Sequence, residues 1–379
     1  MKEYTILTVN PGSTGTKTGI VTGGKVVFDA DIENLPGEFD NCGTFAEQAP
    51  AREKKIMDVI EKEGIDLGSI DAVSGRGVGI HSCEGGTYRI NELAYDHASR
   101  DVEGIHHPAL LGIVIAYRLG KQLSVPSFFV NPMNTDELCD EARMTGVKGL
   151  YRPMRGHPLN QKQVAINHSE LHDTRYEDRN YVIVHMGGGV SITAHRCGRA
   201  IDSTRVGDGQ GPISPNRAGD LCAGDIFTMI KRGMSLDEID RLCSRGGGLK
   251  DLTGTDDARE VYFEMIPTGD LKAKLAWSAM EYSFVKWIAM MAGALRGDVD
   301  AILLTGGMAN NKDLVMQITN DCSWIAPVYV YPGSFETEAL AAGAERVLNG
   351  KEEAKTYTGK PVWSGFGFEA WEGKNPDTL

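Results

Sequence analysis

The sequence is poor in paired cysteines and in long apolar runs. Its 379 residues include seven cysteines, but none belongs to a C-x-x-C pair. Scattered, odd-numbered cysteines are typical of reduced thiols, so we exclude a disulfide framework and a cysteine-rich zinc site. No apolar run approaches the roughly 20 residues needed to span a bilayer, and the N-terminus lacks a signal-peptide pattern. The sequence therefore predicts a cytoplasmic protein that does not enter a membrane.

Positive charge is also scarce. The 39 lysines and arginines are outnumbered by 52 aspartates and glutamates, which gives a formal net charge of -13. This excess of negative charge disfavours nucleic acids and anionic membranes as partners. A small anionic substrate would therefore need arginines placed at its own site.

Strands and helices alternate along the chain, and the pattern occurs twice. Each half opens with a strand, a glycine-rich turn and a second strand, as in "YTILTVNPGSTGTKTGIV" and "NYVIVHMGGGVSITAH". Each half later contains an apolar strand that ends in glycines, "DAVSGRGVG" and "DAILLTGGMANN". Two similar halves in a chain of this length predict a duplicated α/β fold of two domains with a central cleft.

The turn at Gly12 is similar to a phosphate-binding P-loop but does not match its pattern. The P-loop has a glycine before its lysine, whereas Thr16 precedes Lys17 here. The residues that follow are β-branched and predict a strand, not a helix. We therefore predict a hairpin whose tip holds phosphate, as in actin-like and sugar-kinase folds. A glycine-rich hairpin tip that binds nothing is the alternative.

Glycine loops follow apolar strands at three places, Gly12, Gly187–Gly189 and Gly306–Gly307. Nucleotides bind at such strand ends in open α/β sheets. The glycine-rich segments at 75–79 and 186–190 do not complete G-x-G-x-x-G with an acidic residue about 20 positions later, which disfavours a dinucleotide dehydrogenase.

Five segments together resemble the acetate and butyrate kinase family, most closely its butyrate kinases. They are "TVNPGSTGTK", "HMGGGVSITAH", "GPISPNRAGDL", "LTGGMANN" and "VYVYPGSFETEALAAGAERVL", and the resemblance extends over nearly the whole chain. It implies a duplicated actin-like fold with two domains. Residues 1–130 plus 339–379, including a returning C-terminal helix, would form the first domain, and residues 131–338 the nucleotide-binding second domain.

The resemblance also implies a reaction. ATP would phosphorylate a short-chain carboxylate, butyrate or a branched-chain acid, to an acyl phosphate, reversibly with ADP, with Mg²⁺ and in a homodimer or higher homo-oligomer. A carboxylate nucleophile needs no general base, since free carboxyls titrate near pH ~4. The obstacle is repulsion between two anions, which arginine and Mg²⁺ must offset during in-line transfer. A sugar or glycerol kinase, whose hydroxyl nucleophile needs a base, is the weaker alternative.

Several residues match the family's reactive positions. The resemblance implies that Arg76 and Arg217 neutralise substrate and phosphoryl charge. It also implies that His185 donates a hydrogen bond to the transferring phosphoryl group, although a buried core histidine is the alternative interpretation. His106 matches a substrate-side histidine of the family, and the adjacent His107 is an alternative.

The nucleotide and metal positions follow from the same resemblance. Asn10 and Glu336 match metal-associated positions, with Glu338 as an alternative to Glu336. The nucleotide-contacting positions would be Asn10, Ser13, Lys17, Gly187, Gly188, Gly189, Gly306, Gly307 and Asn310. Gly15 departs from the pattern, because the family usually has a serine there, and one hydroxyl donor is lost.

The main departure is Asn131, which stands where the family has a catalytic aspartate. Asparagine offers Mg²⁺ a carbonyl oxygen but no negative charge. Asp136 is a candidate replacement, although we favour a role for it as the cap of the next helix. Two hypotheses follow: a working carboxylate kinase that tolerates Asn131, and a catalytically weakened paralogue that serves as a nucleotide-binding sensor or scaffold. Retention of both arginines, the histidine and the glutamate favours the first.

Overall fold

A computed structural model describes residues 2–367, which form two compact units. Of the described residues, the first unit comprises those up to Asp136 together with Phe335–Ser364, and the second comprises Glu137–Ser334 and residues 365–367. The predicted borders, after 130 and before 339, differ from these divisions by a few residues, and residues 365–367, predicted in the first domain, fall in the second unit. Residues 368–379 of the predicted first domain lie outside the described residues.

The strands and helices of the first unit are numbered in chain order. They are β1 (Thr5–Pro11), β2 (Gly15–Thr22), β3 (Lys25–Glu33), α1 (Ala49–Lys62), β4 (Ala72–Gly75), β5 (Thr87–Arg89), α2 (Glu92–Arg100), α3 (Leu110–Leu123), β6 (Ser127–Val130), α11 (Glu336–Leu348) and β12 (Lys355–Thr356). The sheet has the order β12-β5-β6-β4-β1-β2-β3. Strand β4 pairs in parallel with β1 and β6, whereas β2 and β3 are added antiparallel.

The second unit contains a five-stranded sheet in the order β11-β10-β7-β8-β9. Its strands are β7 (Asn180–Met186), β8 (Val190–Arg196), β9 (Arg199–Ser203), β10 (Ala301–Gly306) and β11 (Val328–Pro332). Its helices are α4 (Asp140–Arg143), α5 (Pro158–Leu171), α6 (Ala223–Lys231), α7 (Leu236–Arg241), α8 (Leu249–Thr253), α9 (Leu271–Ala294) and α10 (Lys312–Cys322). Strand β10 pairs in parallel with β7 and β11, and β8 and β9 are antiparallel.

The two sheets share one topology. The order β6-β4-β1-β2-β3 in the first unit corresponds to β11-β10-β7-β8-β9 in the second, with the same parallel and antiparallel pairings. In each sheet a glycine-rich turn joins the first two strands in chain order. The duplication predicted from the repeated sequence pattern is confirmed.

Helix α3 packs tightly on the first sheet. Most of its side chains are buried, since they face the core that it forms with α1 and α2. The closest approach is made by glycines: a Cβ on Gly75 would lie 2.0 Å from the carbonyl oxygen of Gly112, and one on Gly112 would lie 2.1 Å from that of Arg76. Only glycine permits backbones to approach this closely. Among residues 2–367, no helix is long and apolar enough to cross a membrane.

The contact between α3 and the end of β4 leads to a stability prediction. We expect Gly112→Ala to lower the free energy of unfolding by about 1–3 kcal/mol, because the added methyl group overlaps the backbone of Arg76. Denaturant unfolding measures this change. A matched control is Gly293→Ala in α9, where a Cβ meets nothing within 4 Å. Equal stability of the two variants would show that α3 does not fix the backbone at Arg76.

Candidate active site

Arg76, Asn10 and Glu336 form a hydrogen-bonded cluster in the first unit. Asn10 lies in β1, Arg76 follows β4, and Glu336 begins α11. The Arg76 Nη1 atom is 2.9 Å from both carboxylate oxygens of Glu336 and 3.3 Å from Oδ1 of Asn10. The Asn10 amide nitrogen donates to Glu336 at 2.6 Å. The fold thus brings together three predicted residues that are far apart in the sequence.

The contacts of Arg76 with Asn10 and Glu336 all use Nη1. Nε is buried, but the side chain as a whole is 18% exposed, so part of the guanidinium is open to solvent. The planar fork of a guanidinium pairs well with a second oxyanion. Arg76 can therefore keep its contact with Glu336 while it pairs with a carboxylate or phosphoryl group.

The histidine near Arg76 is His107 and not the predicted His106. The His106 side chain is 84% exposed and its backbone has a φ of 51°, which turns the residue outward beside Asp101. His107 is half-buried, and burial, followed by the positive charge of Arg76, lowers its pKa. A neutral His107 can stand beside Arg76 without charge repulsion.

The Gly12 turn is a hairpin tip, and this part of the prediction is confirmed. The Gly12 N–H donates to the Gly15 carbonyl at 2.8 Å, with Ser13 exposed between them. Lys17 lies on the exposed face of β2, opposite a carboxylate of β3. A Cβ on Gly15 would lie 2.7 Å from a main-chain oxygen of β3, so the family's serine does not fit this turn without movement.

Asn131 is held by the loop before β5. Its Oδ1 accepts a hydrogen bond from the Gly86 N–H at 2.7 Å, and its own N–H donates to the Gly86 carbonyl at 3.0 Å. The residue is buried and has a φ of 40°, a conformation that asparagine tolerates better than most residues. The side-chain oxygen that was predicted to face a metal therefore also fixes the loop.

The prediction that Asp136 caps the next helix is wrong. Helix α4 begins at Asp140, and Cys139 occupies its N-cap position. Asp136 is buried, and its N–H donates to the Cys83 carbonyl at 2.9 Å. The backbone from Asn131 to Asp136 pairs with the segment after Arg76, which explains why the first unit extends beyond residue 130.

In the second unit, Arg217 packs on the glycine loop between β7 and β8. A Cβ on Gly189 would lie 1.9 Å from Arg217 Nη1, so this approach requires glycine. Nη1 donates to Asn216 at 3.0 Å, and the buried Nε has no partner among the described residues. Burial lowers the pKa of Arg217, yet a guanidinium stays charged in proteins. Arg217 therefore places a positive charge against the loop.

His185 lies in β7, before the same glycine loop. Its Nδ1 is 2.8 Å from Asn160 Oδ1, and its ring stacks on His157 with 4.1 Å between centroids. Asn160 donates its amide to the Ser334 carbonyl, so its oxygen must accept from His185. Nδ1 therefore carries the proton, and Nε2, beside Gly187, can donate only when the ring is an imidazolium. The predicted bond to a phosphoryl group requires protonated His185.

A cavity of about 560 Å³ opens beside the glycine loops of the second unit. Four predicted nucleotide residues line it: Gly187, Gly188, Gly307 and Asn310. The other lining residues are Pro215, Asp256, Asp257, Ala258, Arg259, Phe263, Trp277, Met308 and Asn311. Gly306 instead exchanges backbone hydrogen bonds with Gly333, and its φ of 92° requires glycine. The volume of the cavity and the aromatic rings of Phe263 and Trp277 in its wall suit a purine nucleoside.

The donor set around Glu336 fits Mg²⁺ only as a shared site. Among residues 2–367, no group of three or more His, Cys, Asp and Glu side chains could hold a metal ion. Mg²⁺ in nucleotide sites is held by one or two carboxylates, with phosphates and water supplying the other oxygens. Glu336 would supply one carboxylate and Asn10 an amide oxygen, and bound phosphates and water would have to complete the coordination.

Two units with one repeated topology, each with a glycine loop after its first strand, define a duplicated actin-like fold. An acetate kinase from Porphyromonas gingivalis has this fold, with a TM-score of 0.77 at 20% identity over 91% of this chain and 100% of that one. A propionate kinase from Francisella tularensis gives a TM-score of 0.69 at 18% identity over 90% of this chain and 99% of that one.

The sequence comparison is more specific. Residues 152–324 match the acetokinase family. A probable butyrate kinase from Clostridium botulinum (strain Alaska E43 / Type E3) is 39% identical over 356 residues, which cover 94% of this chain and 100% of the relative. The chain belongs to the acetokinase family, and the resemblance inferred from its motifs is confirmed. Membership supports the phosphorylation of a carboxylate by ATP as the class of activity.

Sequence reasoning missed several residues of these sites. Two residues that contact His185 belong to no sequence motif. His157 precedes helix α5, and Asn160 lies in its first turn. Phe263 and Trp277 line the cavity but lie in no glycine-rich loop, which was the pattern used to predict nucleotide contacts. Arg52 contacts the Gly12 turn, and a signal for it did exist: it occupies a buried position of α1, in line with apolar residues.

Asn131→Asp tests whether this position faces the metal. The substitution is nearly isosteric and keeps an acceptor for Gly86, so the unfolding midpoint should change little. A second carboxylate oxygen would replace the amide nitrogen, and we expect turnover to need less Mg²⁺, because hard cations favour carboxylates. Titration of turnover with Mg²⁺ measures this.

Asp136→Asn is the companion variant. Unchanged Mg²⁺ dependence in Asn131→Asp, with loss of turnover in Asp136→Asn, would place the charge at 136 instead. Unchanged Mg²⁺ dependence in both variants would remove both residues from the metal site.

Proposed function

We propose that the protein is a short-chain carboxylate kinase. It transfers the γ-phosphoryl group of ATP to butyrate or a branched-chain acid and forms an acyl phosphate, reversibly with ADP. The observation that carries the proposal is the position of two arginines: Arg76 follows β4 and is 18% exposed beside Glu336, and Arg217 lies against Gly189 in the glycine loop between β7 and β8. In a chain with a net charge of -13, these two cations supply the local positive charge that an anionic substrate needs.

The division of roles follows from the contacts. Arg76, held by Glu336, pairs with the substrate carboxylate, with His107 more suitably placed beside it than His106. Arg217 and protonated His185 stabilise the charge on the transferring phosphoryl group from either side of the second glycine loop. The carboxylate attacks as an ionised nucleophile, so these residues position and neutralise but do not abstract a proton.

ATP and Mg²⁺ complete the proposed site. The cavity at Gly187, Gly307 and Asn310 would hold the adenosine, and the turn at Ser13 would contact phosphate. Asn10 and Glu336 would hold Mg²⁺, which when bound neutralises phosphate charge. Lys17 would contact phosphate with its side chain, which lies on the exposed face of β2.

The alternative is a catalytically weakened paralogue that binds nucleotide as a sensor or scaffold. Asn131 is its sole motivation. The arginines, His185 and Glu336 are all present and each is held by hydrogen bonds, so Asn131 is the one departure among these positions. We therefore favour the enzyme.

The test is capture of the acyl phosphate with hydroxylamine, in the presence of ATP, Mg²⁺ and straight or branched short-chain acids. We expect Arg76→Ala and Arg217→Ala each to lower turnover by about 100-fold or more, since each removes a donor that stabilises transferred charge. Arg118→Ala is the control, because Arg118 lies on α3 and pairs with Glu53. Absence of acyl phosphate from every acid, with ATP still bound, would favour the sensor.

We also propose a homo-oligomer. Helix α9 exposes Leu271, Leu275, Tyr282 and Met290 along one face, and monomers rarely expose apolar stripes of this length. A second copy of the chain would cover this face. Sedimentation should show at least a dimer, and Leu275→Glu should dissociate it, whereas Met316→Glu on α10 should not. A monomeric wild-type protein would contradict the proposal.

A further inference from the structure

Arg52 is a buried cation whose hydrogen bonds all go to neutral groups. It lies in α1, in line with Ala49, Ile56 and Ile60, and is 2% exposed. Burial lowers its pKa, and the carboxylate of Glu38 opposes this effect from a distance. A buried charge is costly unless hydrogen bonds or charges compensate it. The position therefore calls for an explanation beyond packing.

The contacts of Arg52 converge on the Gly12 turn. Nη1 donates to the carbonyl of Gly12 at 3.1 Å, to that of Gly15 at 3.0 Å and to Oγ1 of Thr16 at 2.9 Å. Nε and Nη2 both donate to Gln48 Oε1, at 3.2 and 2.9 Å. Gln48 thus fixes the plane of the guanidinium while Nη1 binds the turn.

The remaining carbonyls of the turn are also bound. Asn34 donates its amide to the Ser13 carbonyl at 3.1 Å and its backbone N–H to the Thr14 carbonyl at 2.9 Å. All four carbonyls from Gly12 to Gly15 therefore accept hydrogen bonds from the protein. In the described part of the chain, no group accepts from the N–H groups of Ser13 and Thr14.

This arrangement gives the turn a polarity. Carbonyl oxygens, which repel anions, are bound by the protein, while N–H groups at the exposed tip remain available. Consecutive free N–H groups in a turn form an anion-binding concavity. The charge of Arg52, which no carboxylate of the described residues contacts directly, lies behind the same carbonyls and adds to the attraction.

We propose that Arg52 is a positioning residue for nucleotide binding: it turns the carbonyls of residues 12 and 15 inward, so that the tip presents N–H donors to a phosphoryl group. Arg52 contacts the turn and acts through it. The inference rests on the proposed function, because it assumes that the phosphates of ATP are the anion.

The experiment compares the dissociation constants of ATP and adenosine by calorimetry, without the acid substrate. We expect Arg52→Met to weaken ATP binding about tenfold or more, the effect of losing a charge-assisted hydrogen bond, and to leave adenosine binding unchanged. A merely structural role would weaken both ligands alike. Arg118→Met is the matched control, since it removes an arginine of the same unit that does not contact the turn.

Arg52→Lys covers the case in which the methionine variant does not fold. One ammonium group keeps the charge but cannot bind both the turn and Gln48 as the guanidinium fork does. We expect weaker ATP binding, again with adenosine unchanged. Wild-type affinity for ATP in Arg52→Lys, or equal weakening of ATP and adenosine in either folded variant, would overturn the proposal.

The proposal and the proposed function fail in different ways. If the wild type binds ATP more tightly than adenosine but forms no acyl phosphate, the enzymatic function fails and the role of Arg52 is still decided by the comparison above. If the wild type binds ATP no more tightly than adenosine, the turn does not hold phosphate and the proposal for Arg52 is overturned.

Discussion

The carboxylate of Glu336 is the group on which the first unit's site depends. It begins α11, with which the chain returns to the first unit after Ser334, and it holds Arg76 and Asn10 together. Each side chain of the Arg76–Glu336 pair is 18% exposed. The pair is buried enough that its loss would be costly in free energy, because an unpaired charge would remain in a poorly solvated position. It is exposed enough that solvent still reaches the arginine. The return of the chain therefore does more than complete a core, because it supplies the acid that orients Arg76.

The arginines near the glycine loops are held in two distinct ways. Arg76 is held by a carboxylate, which orients it but offsets part of its charge. Arg217 and Arg52 are held by amide and carbonyl groups, which orient them without a directly bonded carboxylate among residues 2–367. A protein with a net charge of -13 repels anions at long range, so its affinity for them must come from such local, low-dielectric positions. An arginine held only by neutral groups attracts anions more strongly than one held by a carboxylate. It also costs more folding free energy, because its charge is buried without a bonded counter-charge.

Much of the fold could be predicted from the sequence, because its signals are local. Alternating β-branched residues and strand-end glycines located the hairpins, and their repetition revealed the duplication. The failures concern contacts between distant segments. His106 and His107 are equivalent in sequence, and a positive φ at His106 separates them. Aspartate is a common helix-capping residue, but the backbone of Asp136 pairs with Cys83, and α4 does not begin until Asp140. Arg52 reaches a turn about 40 residues away, and its burial in an apolar helix face was the one local sign.

The glycine at position 15 shows how the turn can differ from the family pattern and still present N–H donors. Gly15 pairs with β3 so closely that a Cβ would lie 2.7 Å from a main-chain oxygen, which makes the family's serine incompatible with this pairing. The lost hydroxyl must be replaced by another donor if phosphate is bound. Asn34, at the end of β3, and Arg52 engage the turn's carbonyls, and the N–H groups of Ser13 and Thr14 are left as donors. The close pairing that excludes serine is thus the same pairing that brings Asn34 to the turn, where it binds two carbonyls and leaves two backbone N–H groups as donors.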